Sequence, residues 1–416
     1  MATAKYSYKM GNDNGNANHD VIINGDYVTQ ANVYTPLFDL KGYNNVSTKE
    51  ALHNIMDKIV ASIISPALPG TSGTYLIGNG AFSSGSTPVE FHVGFDKKST
   101  SEIPIINTLG LVSAYTAKKH YEKTKKEPVN GDVLNVEIQM TTALPIDEYY
   151  ESEENREVFI NRFLKGPHNV VLHLGNVNVT VNVKFTQVYV TPEAASVYWA
   201  LNEIDQDEKN VAILFEKFLD DYKDEVESIT AKEIANSRIL HVDIGSGTTE
   251  YPLTAPAPNP AFITGKDYGI GHAIDKILSE FGKQVNVPDL TRLEFDKIIK
   301  GEVNAHLLPI AKNAIEPFLR EQAMKIYQEL RTQIRKARHG FDYILVYGGG
   351  SILLEDHLKE LIIEELKKNQ NAKLLYVPKE LAVKLNALGL NAFVNHEVFQ
   401  VKTQHQIAED AETTNA

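Results

Sequence analysis

The stretch ILHVDIGSGTTEYPL, residues 239–253, decides the fold class of this chain. An apolar run ends at Asp243, passes through the small residues Gly245–Gly247 and continues through Thr248–Glu250. One explanation is a β-hairpin with a permissive turn. The other is a phosphate-binding loop, in which backbone N–H groups face an anion and the carboxylate holds its metal ion. The rest of the sequence has to distinguish these two interpretations.

Length, charge and composition limit the classes of protein that fit. The chain has 416 residues, enough for two domains that each bury a core. Its net charge of −13 argues against broad non-specific binding of nucleic acid, because neutralising phosphates takes basic patches. There is no cysteine, no apolar run near the ~18 residues of a membrane span, and no signal-peptide core in MATAKYSYKM. We therefore expect a cytoplasmic protein without membrane contact.

A second acid-glycine turn lies near the N-terminus, in MGNDNGNANHDVII, where Asp13 precedes Gly15 between two apolar runs. Glycines let the backbone approach a phosphate closely, and successive N–H groups form an anion-binding nest. One such turn is common, but two, each opening a run of strands and helices, form a clamp. We expect Asp13 and Asp243 to face one another across a cleft and to hold a hydrated Mg²⁺ ion.

A third glycine turn, Gly348-Gly349-Gly350-Ser351, follows the apolar run YILVY. Alone it is equally well explained as a tight strand-to-helix turn. Three glycines also leave a bare backbone surface on which a base and a ribose can lie. Together with the two hairpins, this turn completes a predicted nucleotide site.

The order of elements predicts an α/β fold with two lobes, each a mixed β-sheet flanked by helices. We assign residues 1–200 to lobe I, 201–395 to lobe II and 402–416 to a disordered tail. At the start of lobe I, Tyr6, Tyr8 and Met10 alternate, and Asn24-Gly25 is typical of a tight hairpin turn.

Two segments are predicted to be helices. Ser47-Thr48-Lys49-Glu50 has capping-box form, and an apolar helical stripe follows it as far as Ser65-Pro66. The stripe consists of Leu52, Ile55, Met56, Ile59, Val60 and Ile63. The charged stretch Glu203–Lys232 carries enough apolar residues to predict an amphipathic surface helix.

These motifs resemble the actin, Hsp70 and sugar kinase superfamily, and within it the bacterial actin-like plasmid-segregation ATPases of the ParM and Alp kind. The resemblance runs from Tyr6 to about Val394. It includes softer likenesses in TYLIGNGAF, TTALPIDEY, DYGIGHAIDKIL and LNALGLNAFV. It implies a two-lobed actin-like ATPase fold that binds ATP or GTP with Mg²⁺. The implied nucleotide-binding residues are Gly15, Asn16, Ala17 and Asn18 in the first loop, Gly245, Ser246, Gly247, Thr248 and Thr249 in the second, and Gly348, Gly349, Gly350 and Ser351 in the adenosine turn.

The same resemblance implies the catalytic residue. In the plasmid actins a proline-glutamate pair opens the helix between the lobes, and the glutamate positions the attacking water. Thr191-Pro192-Glu193 matches this pair, so Glu193 is the implied general base or water-orienting residue. Proline suits the first turn of a helix and a carboxylate suits its N-terminus, and an ordinary helix-terminal acid is the alternative explanation.

The chain departs from the family pattern at three places. The second hairpin ends in Glu250, where the family often has aspartate, and Gly15–Asn18 lacks the usual threonine or serine at its tip. Thr248 and Thr249 remain as hydroxyl donors to phosphate on the other side. These changes affect the expected metal geometry more than nucleotide binding. The connection from Glu193 to Asp243 is long, and its extra piece, Glu203–Lys232, is either a surface decoration or a lateral filament contact.

By resemblance, we expect a filament-forming protein that segregates plasmid DNA, with nucleotide hydrolysis controlling filament dynamics. Its partners would be further copies of itself and a small DNA-binding adaptor on centromere-like repeats. A metabolic kinase of the same superfamily and a cell-shape actin homologue are the alternatives. A chaperone is not expected, because it would need a long peptide-binding domain after the ATPase. Glu203–Lys232 is too acidic for a helix that binds an anionic bilayer.

Overall fold

The computed structural model describes residues 3–403, except 44, 69, 71, 85, 93–95, 256, 263, 288–289, 302, 339 and 370–371. The chain forms two compact units. The first comprises the residues up to Pro192 and those from Leu390 onward, and the second is Glu193–Gly389. The division therefore falls eight residues before the predicted boundary at residue 200 (200 − 192 = 8), and the chain returns to the first unit near its end.

The elements of the first unit are given by their bounds. Its strands are β1 (Thr3–Asn14), β2 (Asn18–Ile23), β3 (Asp26–Ala31), β4 (Tyr34–Leu37), β5 (Ile59–Ile64), β6 (Gly73–Ile77), β7 (Val133–Leu144), β8 (His168–Leu174) and β9 (Val177–Pro192). Its helices are α1 (Thr48–His53), α2 (Ile103–Thr124), α3 (Ile146–Glu151) and α4 (Glu153–Leu164), with a 3-10 helix at Gly78–Ser84.

The second unit contains the remaining elements. Its strands are β10 (Ile239–Ile244), β11 (Thr249–Glu250), β12 (Leu253–Thr254), β13 (Gly265–Lys266), β14 (Tyr343–Tyr347) and β15 (Lys373–Tyr376). Its helices are α5 (Ser196–Ile204), α6 (Glu208–Asp221), α7 (Ala231–Ala235), α8 (Gly271–Gln284), α9 (Arg292–Ile299), α10 (Leu308–Lys336), α11 (Ser351–Asn369) and α12 (Lys379–Ala382), with 3-10 helices at Pro260–Phe262 and Ala305–Leu307. Helix α13 (Leu385–Asn395) crosses from the second unit to the first.

The sheet of the first unit has the strand order β3-β2-β1-β7-β9-β8-β5-β6-β4. β1, β7 and β9 are parallel neighbours, whereas β1 and β2 form an antiparallel hairpin. As predicted from the alternation, Tyr8 and Met10 are buried. The turn at Asn24 and Gly25 is also confirmed, since both residues have positive φ, 48° and 91°. The predicted mixed sheet is therefore present in this unit.

The predicted helix after Ser47 is wrong beyond its beginning. The Ser47 hydroxyl accepts from the Glu50 N–H at 3.2 Å and caps α1, which ends at His53. Residues Ile59–Ile64 instead form β5, between β6 and β8. The run IVASII is rich in β-branched residues, which favour the pleated conformation once neighbouring strands are present.

The sheet of the second unit is also mixed, with the order β13-β11-β10-β14-β15 and β12 paired to β10. β10, β14 and β15 are parallel, and β11 returns antiparallel to β10. One apolar cluster packs α8, α10 and α11 on one face, and a second packs α5, α6, α7 and α12 on the other. Because both faces are covered, every residue of β10 is buried. The strand that carries Asp243 is thus held by packing along its whole length.

The stretch Glu203–Lys232 is not one helix. Asp207 ends the link after α5 and caps α6, its side chain accepting from the N–H groups of Lys209 and Asn210. Leu214, Phe215 and Phe218 are buried in the second cluster of the unit. Ion pairs fix the charged side, namely Lys217–Glu355 (2.8 Å), Lys359–Asp221 (2.7 Å) and Lys373–Glu225 (2.8 Å). The apolar side of this segment therefore packs within its own unit.

The first two residues of the predicted tail, 402 and 403, are part of a helix. Residues 397–403 are helical, and Thr403 is buried. The Thr403 hydroxyl oxygen accepts from the side-chain amide of Gln187 at 3.2 Å. The remainder of the predicted tail, 404–416, lies outside the described residues. Within the described part of the chain, no helix has the length and apolar character needed to cross a membrane.

Candidate nucleotide-binding loops

The second hairpin joins β10 to β11. Asp243 pairs with Glu250 and Ile244 with Thr249, in antiparallel register. The Gly245 N–H donates to the Thr248 carbonyl at 2.9 Å and closes the loop. The hairpin predicted from the opening stretch is therefore present, and the question is what its loop can bind.

The carbonyl groups of this loop accept hydrogen bonds from a neighbouring segment of the same unit. The donors are the backbone N–H groups of residues 269–271, at the entry to α8. The bonds run from Ile270 to Gly245 (3.1 Å), from Gly271 to Ser246 (2.8 Å) and from Gly269 to Gly247 (2.9 Å). A Cβ on Gly269 would lie 2.2 Å from the Ser246 oxygen, so this approach requires glycine. The stretch DYGIGHAIDKIL, which resembles the glycine-helix entry that follows the second hairpin, is thus the segment that supports this loop.

The backbone N–H groups of the same loop differ from its carbonyl groups in their hydrogen bonding. Among the described residues, the N–H groups of Ser246, Gly247 and Thr248 donate no backbone hydrogen bond. A loop whose carbonyls are fixed from one side and whose consecutive N–H groups are free of the backbone network is suited to an anion. A permissive hairpin turn needs none of this support. The geometry therefore fits a phosphate group.

Thr249 differs from its predicted role as a hydroxyl donor to phosphate. Its side chain is buried in β11 and its hydroxyl donates to the Tyr268 carbonyl at 3.1 Å. The hydroxyl hydrogen is therefore used to hold the loop to residues 265–270. Thr248 is partly exposed and remains a predicted phosphate donor.

The glycine turn at 348–350 packs on this hairpin. Gly348 has φ +88°, and a Cβ there would lie 2.5 Å from both Asp243 Oδ1 and the Ile244 oxygen. A Cβ on Gly350 would lie 2.7 Å from Ile244 Cγ2, and the Gly350 N–H donates to the Ile244 carbonyl at 2.8 Å. Gly349 is exposed, with nothing within 4 Å of an added Cβ. Two of the three glycines are thus required by the hairpin, and only Gly349 offers an open backbone surface.

Ser351 supports the turn. Its side chain is buried, and its hydroxyl donates to the Gly348 carbonyl at 2.8 Å. This hydroxyl therefore closes the start of α11, and the assignment of Ser351 to the nucleotide-binding turn stays a prediction.

The first hairpin joins β1 to β2 through residues 15–17. A single residue, Asn32, holds its carbonyls. The Asn32 side-chain amide donates to the Gly15 carbonyl at 2.7 Å, and its backbone N–H donates to the Ala17 carbonyl at 2.8 Å. The two hairpins therefore share one feature, since in both the loop carbonyls accept hydrogen bonds from residues outside the loop. Asn32 was missed by the sequence analysis, because it lies outside the motif.

A buried polar layer supports the first hairpin. His19 Nε2 donates to Asn12 Oδ1 at 2.6 Å, and the amides of Asn12 and Asn14 donate to the Thr108 hydroxyl on α2 at 3.3 and 3.4 Å. Burial lowers the pKa of His19 to about 3, so its ring is neutral at neutral pH. This layer anchors the loop to α2 through neutral hydrogen bonds.

The acid of the first hairpin has a second carboxylate beside it. Asp13 lies directly opposite Asp20 in the β1–β2 register, and both are buried. The Tyr27 hydroxyl donates to Asp20 Oδ1 at 2.6 Å, and burial followed by the Asp20 charge raises the pKa of Tyr27. Carboxylates directly opposite one another repel, and a divalent cation relieves that repulsion. This carboxylate pair is chemically compatible with a divalent cation, and the predicted sharing of Mg²⁺ between Asp13 and Asp243 stays a prediction.

The acid of the second hairpin is held by an amide. Asp243 is 8% exposed, and its Oδ2 accepts from Asn386 Nδ2 at 3.0 Å. Asp243 Oδ1 lies on the side of Gly348. The two carboxylate oxygens therefore have different neighbours, and neither partner was predicted from the sequence.

Glu193 lies in a turn ahead of α5, which begins at Ser196. The predicted position inside the first helical turn is wrong, since Pro192 ends β9 and Ala194 has φ +70°. The Val197 N–H donates to the Ala194 carbonyl at 3.1 Å and ties this turn to α5. Glu193 is partly exposed. It lies in the second unit with Asp243, residues 245–249 and residues 348–351, whereas Asp13 and residues 15–18 lie in the first.

Comparisons with known proteins agree on the fold. Residues 241–360 match the family model described as archaeal actin homologue MreB-like, C-terminal. The chain is similar to actin-like protein Alp7A, with a TM-score of 0.65 and 18% identity, over 98% of this chain and 100% of that one. It is similar to Bacillus thuringiensis ParM with ATP, and to the archaeal actin homologue Ta0583 in complex with ADP. Each of these two has a TM-score of 0.55 and 15% identity, over 92% of this chain and 97% of the other.

No curated protein matches the chain by sequence. The structural likenesses cover nearly the whole of both chains, at identities that establish the fold. The resemblance inferred from the sequence motifs is thus confirmed at the level of the fold, including the two mixed sheets flanked by helices.

Proposed function

Because this chain has the actin-like fold, we propose that it is a nucleotide-dependent filament protein. It binds ATP or GTP with Mg²⁺ and hydrolyses the γ-phosphate to control its own assembly. The observation that carries the proposal is common to both hairpins. In each loop, carbonyl groups accept hydrogen bonds from residues outside the loop. The donors are Asn32 for the first loop and residues 269–271 for the second. This arrangement suits loops that present N–H groups to phosphates.

Each loop and each acid has a role in the proposed reaction. Residues 15–18 and 245–248 bind phosphate oxygens, and Gly349 lies against the base or ribose. Asp13 and Asp243 would be the carboxylates that hold a hydrated Mg²⁺ ion. The metal, when bound, neutralises charge that develops on the phosphate oxygens. Glu193 orients the attacking water, and the remaining catalysis is positioning and charge stabilisation.

Self-assembly is proposed to be head-to-tail. A heterologous contact of this kind does not close and generates a helical filament. Hydrolysis then shifts the filament between growing and shrinking states. The resemblance of the sequence motifs to plasmid-segregation ATPases supports plasmid DNA as the cargo. With a net charge of −13, the chain would reach DNA through a small basic adaptor.

Light scattering and phosphate release after addition of ATP–Mg²⁺ or GTP–Mg²⁺ test the proposal. We expect scattering to rise and then to decay as phosphate appears. Glu193→Ala should polymerise and persist, with phosphate release slowed by about 100-fold. Glu157→Ala is the matched control, because Glu157 is exposed on α4, outside the Glu203–Lys232 segment, and should behave as the parent.

The alternatives give different outcomes. If scattering stays flat at every protein concentration while a small metabolite stimulates turnover, the chain is a kinase that shares the fold. If filaments form only on lipid vesicles, a cell-shape function is supported. Plasmid segregation is tested separately, since deleting the gene from its replicon should raise the rate of loss. An unchanged loss rate would contradict the DNA cargo and leave filament formation intact.

A further inference from the structure

We propose that Asn386 is a positioning residue that connects Asp243 of the second hairpin to α5, the helix that follows Glu193. The inference rests on the proposed function and adds a residue and a physical route to it. Asn386 lies in LNALGLNAFV, a stretch whose role the sequence analysis left open.

The connection is a pair of side-chain hydrogen bonds within the second unit. Asn386 Nδ2 donates to Asp243 Oδ2 at 3.0 Å, and Asn386 Oδ1 accepts from the Ser196 hydroxyl at 3.0 Å. Ser196 is 2% exposed and Asp243 is 8% exposed, whereas Asn386 between them is partly exposed. Both ends of the Asn386 amide are thus used in fixed directions.

Asparagine is chemically specific for this position. An amide donates with its nitrogen and accepts with its oxygen, whereas an aspartate at neutral pH only accepts and an alanine does neither. The donor must face the Asp243 carboxylate and the acceptor must face the Ser196 hydroxyl. A bond to an ionised carboxylate is also stronger than one between neutral groups. Asn386 therefore fixes which carboxylate oxygen accepts from the amide and which one lies on the Gly348 side.

A steric contact between α13 and Ser196 reinforces the link from Asp243 through Asn386 to α5. Gly389 lies one helical turn after Asn386, and a Cβ on it would lie 1.9 Å from the Ser196 oxygen. Helix α13 therefore packs on the backbone of Ser196 with no room for a side chain. Ser196 is the first residue of α5, and the Ala194–Val197 bond ties the turn that contains Glu193 to it. A shift of the Asp243 carboxylate is thus transmitted to the start of α5.

The expected effect is that of a residue that orients a ligand. Removing such outer partners costs 10- to 100-fold in metal affinity or activity in metal sites. We expect Asn386→Ala to lower phosphate release about 10-fold and to raise the Mg²⁺ concentration for half-maximal nucleotide-dependent thermal stabilisation. Ser196→Ala should lower phosphate release by a smaller factor and leave the Mg²⁺ concentration unchanged, because Asp243 keeps its amide.

The test uses the full chain in four forms, namely the parent, Asn386→Ala, Ser196→Ala and the double variant. If the two residues act through one route, the double variant will be no slower than Asn386→Ala alone. Asn395→Ala is the control on the same helix, since among the described residues the Asn395 amide donates to Asn391 and not to Asp243 or Ser196. Asn386→Leu serves if alanine prevents folding, because it keeps the approximate size and removes the donor without adding a charge. We expect it to raise the Mg²⁺ requirement too.

Two results would overturn the inference. One is an Asn386→Ala variant with the turnover and Mg²⁺ requirement of Asn395→Ala. The other is a double variant whose loss equals the product of the single losses. Both leave the proposed function standing, because the parent still binds and hydrolyses nucleotide. A parent that binds no nucleotide contradicts the proposed function, and the role of Asn386 with it.

Discussion

At the residue scale, the loops depend on side chains outside their own motifs. The acids and glycines at Asp13, Gly15, Asp243 and Gly245 could be read from the sequence, because they are local patterns. Asn32 could not, since it contacts Gly15 from two strands away. Asn386 is further still, 143 positions from Asp243. A sequence pattern indicates where a loop is, whereas the residues that orient it are set by the tertiary structure.

Replacing Asn32 with alanine tests the support of the first hairpin. The change leaves the Gly15 carbonyl without its 2.7 Å bond, and loss of a buried hydrogen bond costs about 1–3 kcal/mol. We expect nucleotide affinity to fall about 10-fold while the chain stays folded. Binding of a fluorescent ATP analogue measures the affinity, and Asn210→Ala, in the partly exposed first turn of α6, is the control. An affinity equal to that of the control would contradict the role of Asn32.

His19 makes a prediction about pH. Its folded pKa of about 3 lies below the ordinary value of 6.5, so between these values the unfolded chain holds a proton that the folded chain does not. Stability is therefore lost as the pH falls through this window, by about 1.4 kcal/mol per pH unit for this histidine. His19→Gln removes the titration. Its urea midpoint should fall less than that of the parent between about pH 6.5 and pH 5. Equal shifts would show that His19 is protonated when folded.

At the element scale, strong local signals predicted the structure well and weak ones did not. The β1–β2 hairpin, the Asn24-Gly25 turn and the β10–β11 hairpin follow from alternation and turn chemistry. The stripe from Leu52 to Ile63 matched a helical period, yet its second half is β5, because pairing with β6 and β8 outweighs a short apolar period. Glu193 was misplaced for a similar reason. A Pro-Glu pair suits a helix start, but β9 extends through Pro192.

The glycine turn yields a matched pair of variants. Gly348→Ala introduces a Cβ 2.5 Å from Asp243 Oδ1 at a positive φ, whereas Gly349→Ala meets nothing within 4 Å. We expect Gly348→Ala to lower the melting temperature and abolish nucleotide binding. Gly349→Ala should keep the parent melting temperature and weaken binding only if a base or ribose lies against it. Differential scanning fluorimetry and nucleotide titration separate the two effects. Equal stability of the variants would contradict this division.

At the scale of the whole molecule, two α/β units were predictable and their limits were not. The order of strands and helices indicates how many units there are. The return of residues from Leu390 onward to the first unit has no local signal, since it depends on contacts such as that between Gln187 and Thr403. The buried side of the Glu203–Lys232 segment is likewise a tertiary outcome.

Net charge makes a prediction about assembly. Copies that each carry −13 repel at long range, and salt screens that repulsion, with a Debye length of about 10 Å at 0.1 M. We expect the critical concentration for nucleotide-dependent assembly to fall as monovalent salt rises from about 20 to about 200 mM. Sedimentation of polymer measures it, with sucrose in place of salt as the control. A critical concentration that rises with salt would indicate contacts made mainly by opposite charges.

The packing of Gly348 and Gly350 against the second hairpin bears on how such chains diverge. Their small size is demanded by Ile244 and Asp243, so a descendant that no longer used nucleotide would still need both of them to fold. Gly349, free of such constraint, would accumulate substitutions first. In a set of distant relatives, loss of the middle glycine would therefore mark lineages that had given up the ligand, whereas retention of its two neighbours would carry no such information.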